Sequence, residues 1–426
     1  MFKYSKFFFF FILLLFICLN NVAAEEVLTW NNCLSEANKN NPNLISAQEA
    51  VNVQKAGKTI TTSGLYPQIN SSADTSRTKT TIDGNSNPDV DSYSYGVTGR
   101  QLIFDGLKTI NDMKAASENI KASQQAYRFT SSEVRLNLRT AFVNLLKAQE
   151  LIKVSEEIVK IRKDNSMLIN LQYQSGLEHK GALLTAEANL AEAQFELAQA
   201  KRNVELAQRQ LTKEMGRSEF QPMSVKGEFT VRDTAKEKPN FEEIVKNNPS
   251  LLQAEFKKNS ASYSVKSAYG NFSPQLSGSA GASKNGSDWP PENEQWNLGL
   301  SLTLPIFEGG LRTAQVSQAQ AQYRQAEADE RNTRDVAVVA LEQNWAALQD
   351  AIETVVVQSK SLEAAQERSK ISEAQYSTGF INFDNWVIIE NDLVSAKKAY
   401  LQAQANALLA EANWIQAKGE TLEYAQ

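Results

Sequence analysis

The chain has 426 residues, with 44 lysines and arginines against 49 aspartates and glutamates, which gives a formal net charge of −5. This length allows two or three domains, and the mild acidity excludes both a basic nucleic-acid-binding surface and a strongly acidic disordered tail. No stretch after residue 20 approaches the roughly 20 apolar residues of a membrane-spanning helix. If the chain crosses a membrane, the sequence predicts that it does so as strands of alternating apolar and polar residues.

The first 24 residues have the pattern of a secretory signal peptide. Lysines stand within the first six residues, an unbroken apolar run covers 7–18, and Val22-Ala23-Ala24 offers the small residues of a cleavage site. The apolar run is too short to span a bilayer comfortably. The pattern therefore predicts export of the chain and removal of residues 1–24.

Cysteine and histidine are scarce in the rest of the chain. Cys33 is the one cysteine after the signal peptide, and His179 is the one histidine. A single thiol cannot form an intramolecular disulfide or a multi-cysteine metal site. One histidine excludes His-based zinc sites and makes a Ser/His triad a poor candidate. We predict a small buried residue near a helix start for Cys33 and a surface position for His179.

The chain contains an internal duplication, which we identify from motifs that recur in the same order. The Asn-Asn-Pro motif returns 207 positions later, whereas the Ile-Phe-Asp/Glu-Gly and Tyr-x-x-Gly motifs return 203 positions later. One connection between residues 69 and 103 is therefore four residues longer in the first half. The recurring pairs are Asn40-Asn41-Pro42 with Asn247-Asn248-Pro249, Ile103-Phe104-Asp105-Gly106 with Ile306-Phe307-Glu308-Gly309, and Tyr173-Gln174-Ser175-Gly176 with Tyr376-Ser377-Thr378-Gly379. The sequence predicts two copies of one unit, 25–217 and 218–426.

Each unit begins with a helix, over about 30–62 and 239–269, which the Asn-Asn-Pro step is expected to break. A β-hairpin follows over about 64–104 and 272–307. Its clearest strand is strictly alternating: one face carries Trp296, Leu298, Leu300, Leu302 and Leu304, and the other carries Asn297, Gly299, Ser301 and Thr303. Tyr93, Tyr95 and Val97 take the matching outward places in the first half.

This alternation has two interpretations. A half-buried strand in a soluble sandwich shows the same period. The small and hydroxylic residues on the second face favour instead a wall that lines water, with the leucine-rich face, Trp296 to Leu304, in contact with lipid.

A long helix follows each hairpin, over about 107–173 and 311–376, and neither contains a proline. Roughly 67 residues at 1.5 Å rise give about 100 Å, which no compact domain needs. Apolar residues at alternating steps of three and four predict a coiled-coil seam. A second apolar line, through Leu136, Phe142, Val143 and Leu146, predicts neighbours on both sides, as in a closed helical cylinder. An alanine-rich helix returns after each long one.

Four strands per chain cannot close into a barrel, and open strand edges are not tolerated in lipid. Transmembrane barrels have at least eight strands. If the hairpins enter a membrane, the chain must oligomerise, and three copies supply twelve strands and a ring of long helices.

The whole mature chain resembles the TolC family of outer-membrane efflux proteins. The resemblance rests on the signal peptide, the duplication, a hairpin before each long helix, the Ile-Phe-Asp/Glu-Gly start of that helix and the Tyr-x-x-Gly turn at its far end. It implies a mostly α fold with a transmembrane β part: a homotrimer whose 12-stranded β-barrel is continuous with a long α-helical periplasmic barrel. Such a duct sits in the outer membrane of a Gram-negative-type bacterium, contacts outer-membrane lipid and binds no nucleic acid.

The resemblance also implies partners for efflux or type I secretion. These are a periplasmic adaptor protein and an inner-membrane pump of the RND, ABC or MFS type, which supplies the energy while the duct stays a passive conduit. The two turns after the long helices form a periplasmic tip that is closed at rest. Gly176 with Leu177 and Gly379 with Phe380 are the implied adaptor-docking positions.

The gate of the family is matched only in part. Tyr376 stands at the tyrosine position, but Ile381 stands at the arginine position. The aspartate positions hold Asn385 and Ile388, with Asp384 one residue away. We take Tyr376, Asp384 and Asn385 as gate candidates, with helix capping as the alternative role of Asp384. Glu390 and Asp392, in the same helix, are expected to be solvated or to face the lumen.

Three other classes of protein share some of these features. A periplasmic coiled-coil adaptor shares the signal peptide and long helices, but it normally carries one helical hairpin rather than a duplicated unit with amphipathic strands. A secreted enzyme is disfavoured because no phosphate loop, metal-ligand cluster or nucleophile motif is present, so we expect no catalytic site and no cofactor. A spectrin-like rod explains the helices but not the alternating strand.

Overall fold

The computed structural model describes residues 26–79, 81–82, 85–86, 89–229, 231 and 237–423. The predicted signal peptide, 1–24, lies outside these residues. The elements of the first half are β1 (Glu26–Leu28), α1 (Trp30–Asn40), α2 (Pro42–Ser63), β2 (Gln68–Thr78), β3 (Thr81–Ile82), β4 (Asn85–Ser86), β5 (Val90–Phe104), α3 (Lys108–Gln174) and α4 (Lys180–Met215). Those of the second half are β6 (Met223–Val225), α5 (Phe241–Ile244), a 3₁₀ turn (Val245–Asn247), α6 (Pro249–Gly270), β7 (Gln275–Gly286), β8 (Asn293–Thr303), α7 (Leu311–Ser377) and α8 (Phe383–Ala417).

The Asn-Asn-Pro motif breaks the first helix of each half, for the same physical reason in both. The Asn41 side chain accepts a hydrogen bond from the backbone N–H of Asn43 at 3.0 Å, and Asn248 accepts one from Ser250 at 2.9 Å. Each asparagine thus caps the helix that follows, and the proline after it occupies the first helical position, where a missing N–H costs nothing.

The long helices α3 and α7 have 67 residues each, which corresponds to about 100 Å. The turn before α3 is fixed by the Ile-Phe-Asp-Gly motif. Gly106 has a φ of +68°, and a Cβ at this position would collide with Ser273. Asp105 Oδ2 accepts a hydrogen bond from the Thr109 N–H at 2.9 Å. The aspartate therefore closes the first turn of the helix, and the glycine lets the chain approach the second hairpin closely.

The two hairpins join into one antiparallel sheet with the strand order β2-β5-β7-β8. The two halves meet at β5 and β7, where Val97 lies opposite Ala282. On the other side of Ala282, in β8, lies Trp296. The strands β2 and β8 are the two edges of this sheet. A smaller sheet of β1 and β6, in parallel, ties the start of the chain to the connection between the halves.

The helices pack side by side in two tiers. Nearer the sheet, α2 packs on α3 and α6 lies between α3 and α7; nearer the far end, α4 packs on α3 and α8 lies between α3 and α7. The largest apolar core lies where α1, α3, α4 and the small sheet meet, and it contains Leu138, Phe142 and Met215. Cys33 is fully buried in this core, which confirms the prediction made for it.

Within the ranges that the structure describes, no helix is both long and apolar enough to cross a lipid bilayer.

Candidate functional site

Two turns, at the far ends of α3 and α7, have the same local geometry. Gly176 and Gly379 have φ values of +74° and +73°. Each glycine N–H bonds to the carbonyl three residues back at 3.0 Å, and the next residue, Leu177 or Phe380, bonds to the carbonyl five residues back at 2.8 Å. This is the Schellman motif, in which glycine takes the left-handed position after a helix. The Tyr-x-x-Gly signature therefore ends both long helices in the same way.

The residue after each glycine is presented to solvent. Leu177 is 77% exposed and Phe380 is 84% exposed. Large apolar side chains at such exposure cost free energy unless a partner covers them. Each turn ends a 67-residue helix, about 100 Å long at 1.5 Å per residue, so both turns lie at the end of the molecule opposite the sheet. We call these two turns the tip.

Tyr376, one turn before Gly379, is buried and joins the two turns. Its hydroxyl lies 2.6 Å from Gln172 Oε1 and 2.9 Å from Glu178 Oε1, both of which flank the first turn. Its ring stacks on Trp386 with centroids 4.5 Å apart and an interplanar angle of 6°. Burial, and after it the bond to Glu178, raises the pKa of the Tyr376 phenol above its ordinary range. The hydroxyl therefore stays protonated and donates a hydrogen bond across the tip.

An apolar cluster behind Tyr376 draws all four helices together. Ile169 of α3, Ala182 and Ala186 of α4, Tyr376 of α7, and Phe383 and Trp386 of α8 form it. The alanines allow close approach of α4, and the two aromatic residues are spaced three apart, on one face of α8. The tip thus combines an apolar cluster with one polar link.

The four-stranded sheet has two faces of opposite character. Directly opposed residues in antiparallel strands point to the same face, so Val97, Ala282 and Trp296 share one face, and Thr98, Gly281 and Asn297 share the other. On the first face Trp296, Leu298, Leu300 and Leu302 are 68–80% exposed.

Local features sharpen this division. A register shift between Leu102 and Phe104 places Phe104 opposite Leu276, on the face of Leu302; without this bulge the phenylalanine would point to the polar face. Leu304 lies one residue beyond the end of β8, because Thr303 pairs with Gln275, the first residue of β7. Pro274 precedes that residue and cannot donate a ladder hydrogen bond.

Aromatic and charged side chains border the apolar face toward the hairpin loops. Trp289 packs against Tyr93 and Tyr95, each with ring centroids 6.1 Å apart. Lys284 pairs with Glu294 at 2.9 Å in the same row as Tyr95. Aromatic rings beside charges mark the boundary between hydrocarbon and water in membrane proteins.

The comparisons with known proteins agree with this geometry. The profile of the family described as outer membrane efflux protein matches residues 33–217 and 241–420, which covers both halves of the duplication. The chain belongs to this family.

Individual relatives are distant but extensive. The outer membrane efflux protein BepC of Brucella suis is 24% identical over 95% of this chain and 87% of its own length. The outer membrane protein TolC of Escherichia coli K12 is 24% identical over 84% of this chain and 75% of its own. The solved CmeC outer membrane channel of Campylobacter jejuni superposes with a TM-score of 0.78 at 21% identity, covering 93% of this chain and 87% of that one. Similarity at this identity shows the fold.

The resemblance to the TolC family is therefore confirmed, and with it the function of an outer-membrane efflux channel. The adaptor alternative finds no support, because the family profile matches both repeats. Among the described residues, no group of three or more His, Cys, Asp or Glu is placed to hold a metal ion.

The three gate candidates of this efflux protein differ in burial. Tyr376 is buried, whereas Asp384 and Asn385 are exposed in the first turn of α8. The capping role offered for Asp384 is wrong: Asn382 caps the helix and accepts a hydrogen bond from the Asn385 N–H at 3.0 Å. His179, predicted on the surface, caps α4 through Nδ1, which accepts a hydrogen bond from Ala182 at 3.1 Å.

The expectation for Glu390 is wrong as well. This residue is 5% exposed and accepts a hydrogen bond from the Ser369 hydroxyl of α7. Asp392 is exposed and lies 3.4 Å from Arg368. On α8 the two carboxylates, two residues apart, point in different directions, and hydropathy alone gave no reason to separate them.

The partners of Tyr376 were not among the residues predicted from the sequence. Gln172 lies four residues before Gly176 and Glu178 lies two residues after it. This turn was predicted only as a docking position for the adaptor. Trp386 was not predicted either, although Phe383 and Trp386, three residues apart just after the second turn, indicate an aromatic face on the helix.

Proposed function

We propose that three copies of this chain form the exit duct of an efflux or type I secretion system. The observation that carries the proposal is the sheet with an apolar face and two unpaired edges, β2 and β8. Lipid does not tolerate unpaired backbone groups, so β8 of one copy must pair with β2 of the next. Three sheets of four strands close into a barrel of twelve, within the size range of outer-membrane barrels.

The two sheet faces support the same assembly. Trp296 to Leu304 is nine residues, and the eight steps between them extend about 27 Å along a strand. A tilt near 40° reduces this to about 21 Å, close to the ~25 Å apolar band of such barrels. With this face toward lipid, the row of Thr98, Gly281 and Asn297 faces the lumen. The lumen is then polar and holds water.

The helices supply a matching pair of flanks. On one side α2 exposes Ile45, Val53 and Ile60 at 52–74%, and on the other side α7 exposes Val336 and Val339 at 50–60%. In a ring of three copies the α2 flank of one copy meets the α7 flank of the next, which buries these side chains. The helical barrel continues the duct by about 100 Å into the periplasm.

The tip is the closed end of this duct and its contact with partners. Tyr376 holds the two turns together, and Asp384 and Asn385 remain candidates for the lining of the constriction. Leu177 and Phe380 are the contacts for the helical hairpin of a periplasmic adaptor. The duct itself performs no chemistry: an inner-membrane pump of the RND, ABC or MFS type drives the transport.

Reconstitution of the purified mature protein into planar lipid bilayers tests this proposal. We expect stepwise current increments of uniform size, because each insertion adds one closed duct. A protein that stays in water without detergent and never produces current steps would contradict it.

A further inference from the structure

A row of polar contacts joins α3 to α8 between the middle of α3 and the tip. From the middle of α3 toward the tip, the row consists of Arg139 with Glu411 at 3.9 Å, Lys147 with Gln402 at 2.5 Å, Glu157 with Lys397 at 2.6 Å, and Arg162 with Asn391 at 2.5 Å. The helix α3 packs with α4, and α8 packs with α7. The row therefore connects two helix pairs, α3/α4 and α7/α8.

Arg162 differs from the other cations of the row because it is buried. It is 6% exposed, and Glu390 beside its partner Asn391 is 5% exposed. Glu390 in turn accepts a hydrogen bond from Ser369 of α7. Burial lowers the pKa of Arg162, and the charges of Glu390, Glu192 and Glu196 oppose that shift. Arginine stays charged in proteins, so a fixed cation lies in this seam with carboxylates from α4 and α8 around it.

We propose that Arg162 is a second closure residue of the duct, which holds the α7/α8 pair against the α3/α4 pair until the tip opens. The proposal rests on the function of a gated duct proposed above. Arg162 stands 12 residues before the end of α3, about 18 Å above the tip. It therefore acts at a different height from Tyr376 and through different atoms.

The chemistry of the contact suits a reversible closure. A hydrogen bond from a buried cation to a neutral amide adds modest net stability, because desolvation of the charge offsets much of the attraction. It is directional, however, since the planar guanidinium must meet the Asn391 oxygen. When the two helix pairs separate, water takes the place of the Asn391 oxygen. Opening therefore breaks the oriented contact without leaving the charge of Arg162 unsolvated.

Single-channel recording from the complete protein in planar bilayers tests the proposal. We expect Arg162→Ala and Asn391→Ala each to shift the ratio of closed to open channels by about 3- to 30-fold toward open. Because both variants break one contact, the double variant should shift it no further than the larger single effect. Arg368→Ala is the matched control: its pair with Asp392 lies at the same height with both side chains more than half exposed, but it joins α7 to α8 within one pair. It should leave the ratio unchanged.

If both variants stay as closed as Arg368→Ala while Tyr376→Phe opens the channel, Arg162 serves packing alone and the proposal fails. If the wild-type protein forms no channels, the proposed function fails instead. Should Arg162→Ala not assemble to the wild-type oligomer, Asn391→Ala decides by itself, since it removes an exposed side chain.

Discussion

Replacement of Tyr376 by phenylalanine isolates the polar link of the tip from its packing. The ring remains, so the stack on Trp386 and the contact with Phe383 are kept. The hydroxyl that faces Gln172 and Glu178 is lost. A hydroxyl has one proton and donates to one acceptor at a time, and the charged Glu178 is the stronger acceptor.

The size of the effect follows from these contacts. A hydrogen bond to a charged group contributes about 1.5–3 kcal/mol. Glu178 and Gln172 are only half-buried, so water can replace the lost hydroxyl in part, and we expect about 1–2 kcal/mol per chain. That corresponds to a shift of about 5- to 30-fold in the closed-to-open ratio for each chain.

The assay is the closed-state current of the reconstituted channel, and the duplication provides the control. Tyr173 is the counterpart of Tyr376 in the first repeat and is 39% exposed; within the described part of the chain its hydroxyl has no protein hydrogen-bond partner. We expect Tyr376→Phe to raise the current and Tyr173→Phe to leave it unchanged. Equal currents from both variants and the wild type would refute the role assigned to the link.

Residues of the sheet, the first turn and the core lead to further expected outcomes. Leu300→Arg should cost about 2–4 kcal/mol of insertion free energy at the middle of the lipid-facing band and lower the yield in outer membranes, whereas Ser301→Arg on the polar face should not. Gly176→Ala places a Cβ on a residue in the left-handed conformation, and this Cβ meets no neighbouring atom. Backbone strain alone should therefore lower the stability of the turn by about 1–2 kcal/mol, and hydrogen exchange should become faster at the tip but not in the sheet. Burial raises the pKa of Cys33 to about 12, so maleimide at pH 8 should label the unfolded chain and spare the folded one. Because the pKa of the Tyr376 phenol is raised in the closed state, its contribution to closure is complete below the ordinary phenol value near 10 and is lost as pH rises above that value. Closed-state current should therefore stay constant from about pH 6 to 9 and increase above about pH 10.

Features that repeat or alternate could be predicted from the sequence. The Asn-Asn-Pro step fixes a helix start through its own side chain and ring, and the Tyr-x-x-Gly step ends a helix through a glycine. The alternation from Trp296 to Leu302 reports a two-faced strand directly, because side chains of a strand point to opposite faces in turn. In all three cases the residues that determine the structure lie within a few positions of each other.

Features that depend on distant residues could not be predicted. Tyr376 meets Gln172 across 204 positions of sequence, and no local pattern encodes that contact. Glu390 is buried and accepts a hydrogen bond from Ser369 of α7, which the sequence around Glu390 does not encode. Asn382 and Asp384 are both good capping residues, and only the path of the chain decides between them. The bulge before Phe104 likewise depends on its pairing with β7.

The proposed duct depends on edge strands of separate copies that pair and close one barrel. The most direct measurement is the mass of the mature protein, extracted in mild detergent, by light scattering with the detergent mass subtracted. We expect three times the mass of one chain. A monomer that remains in solution without detergent would contradict it.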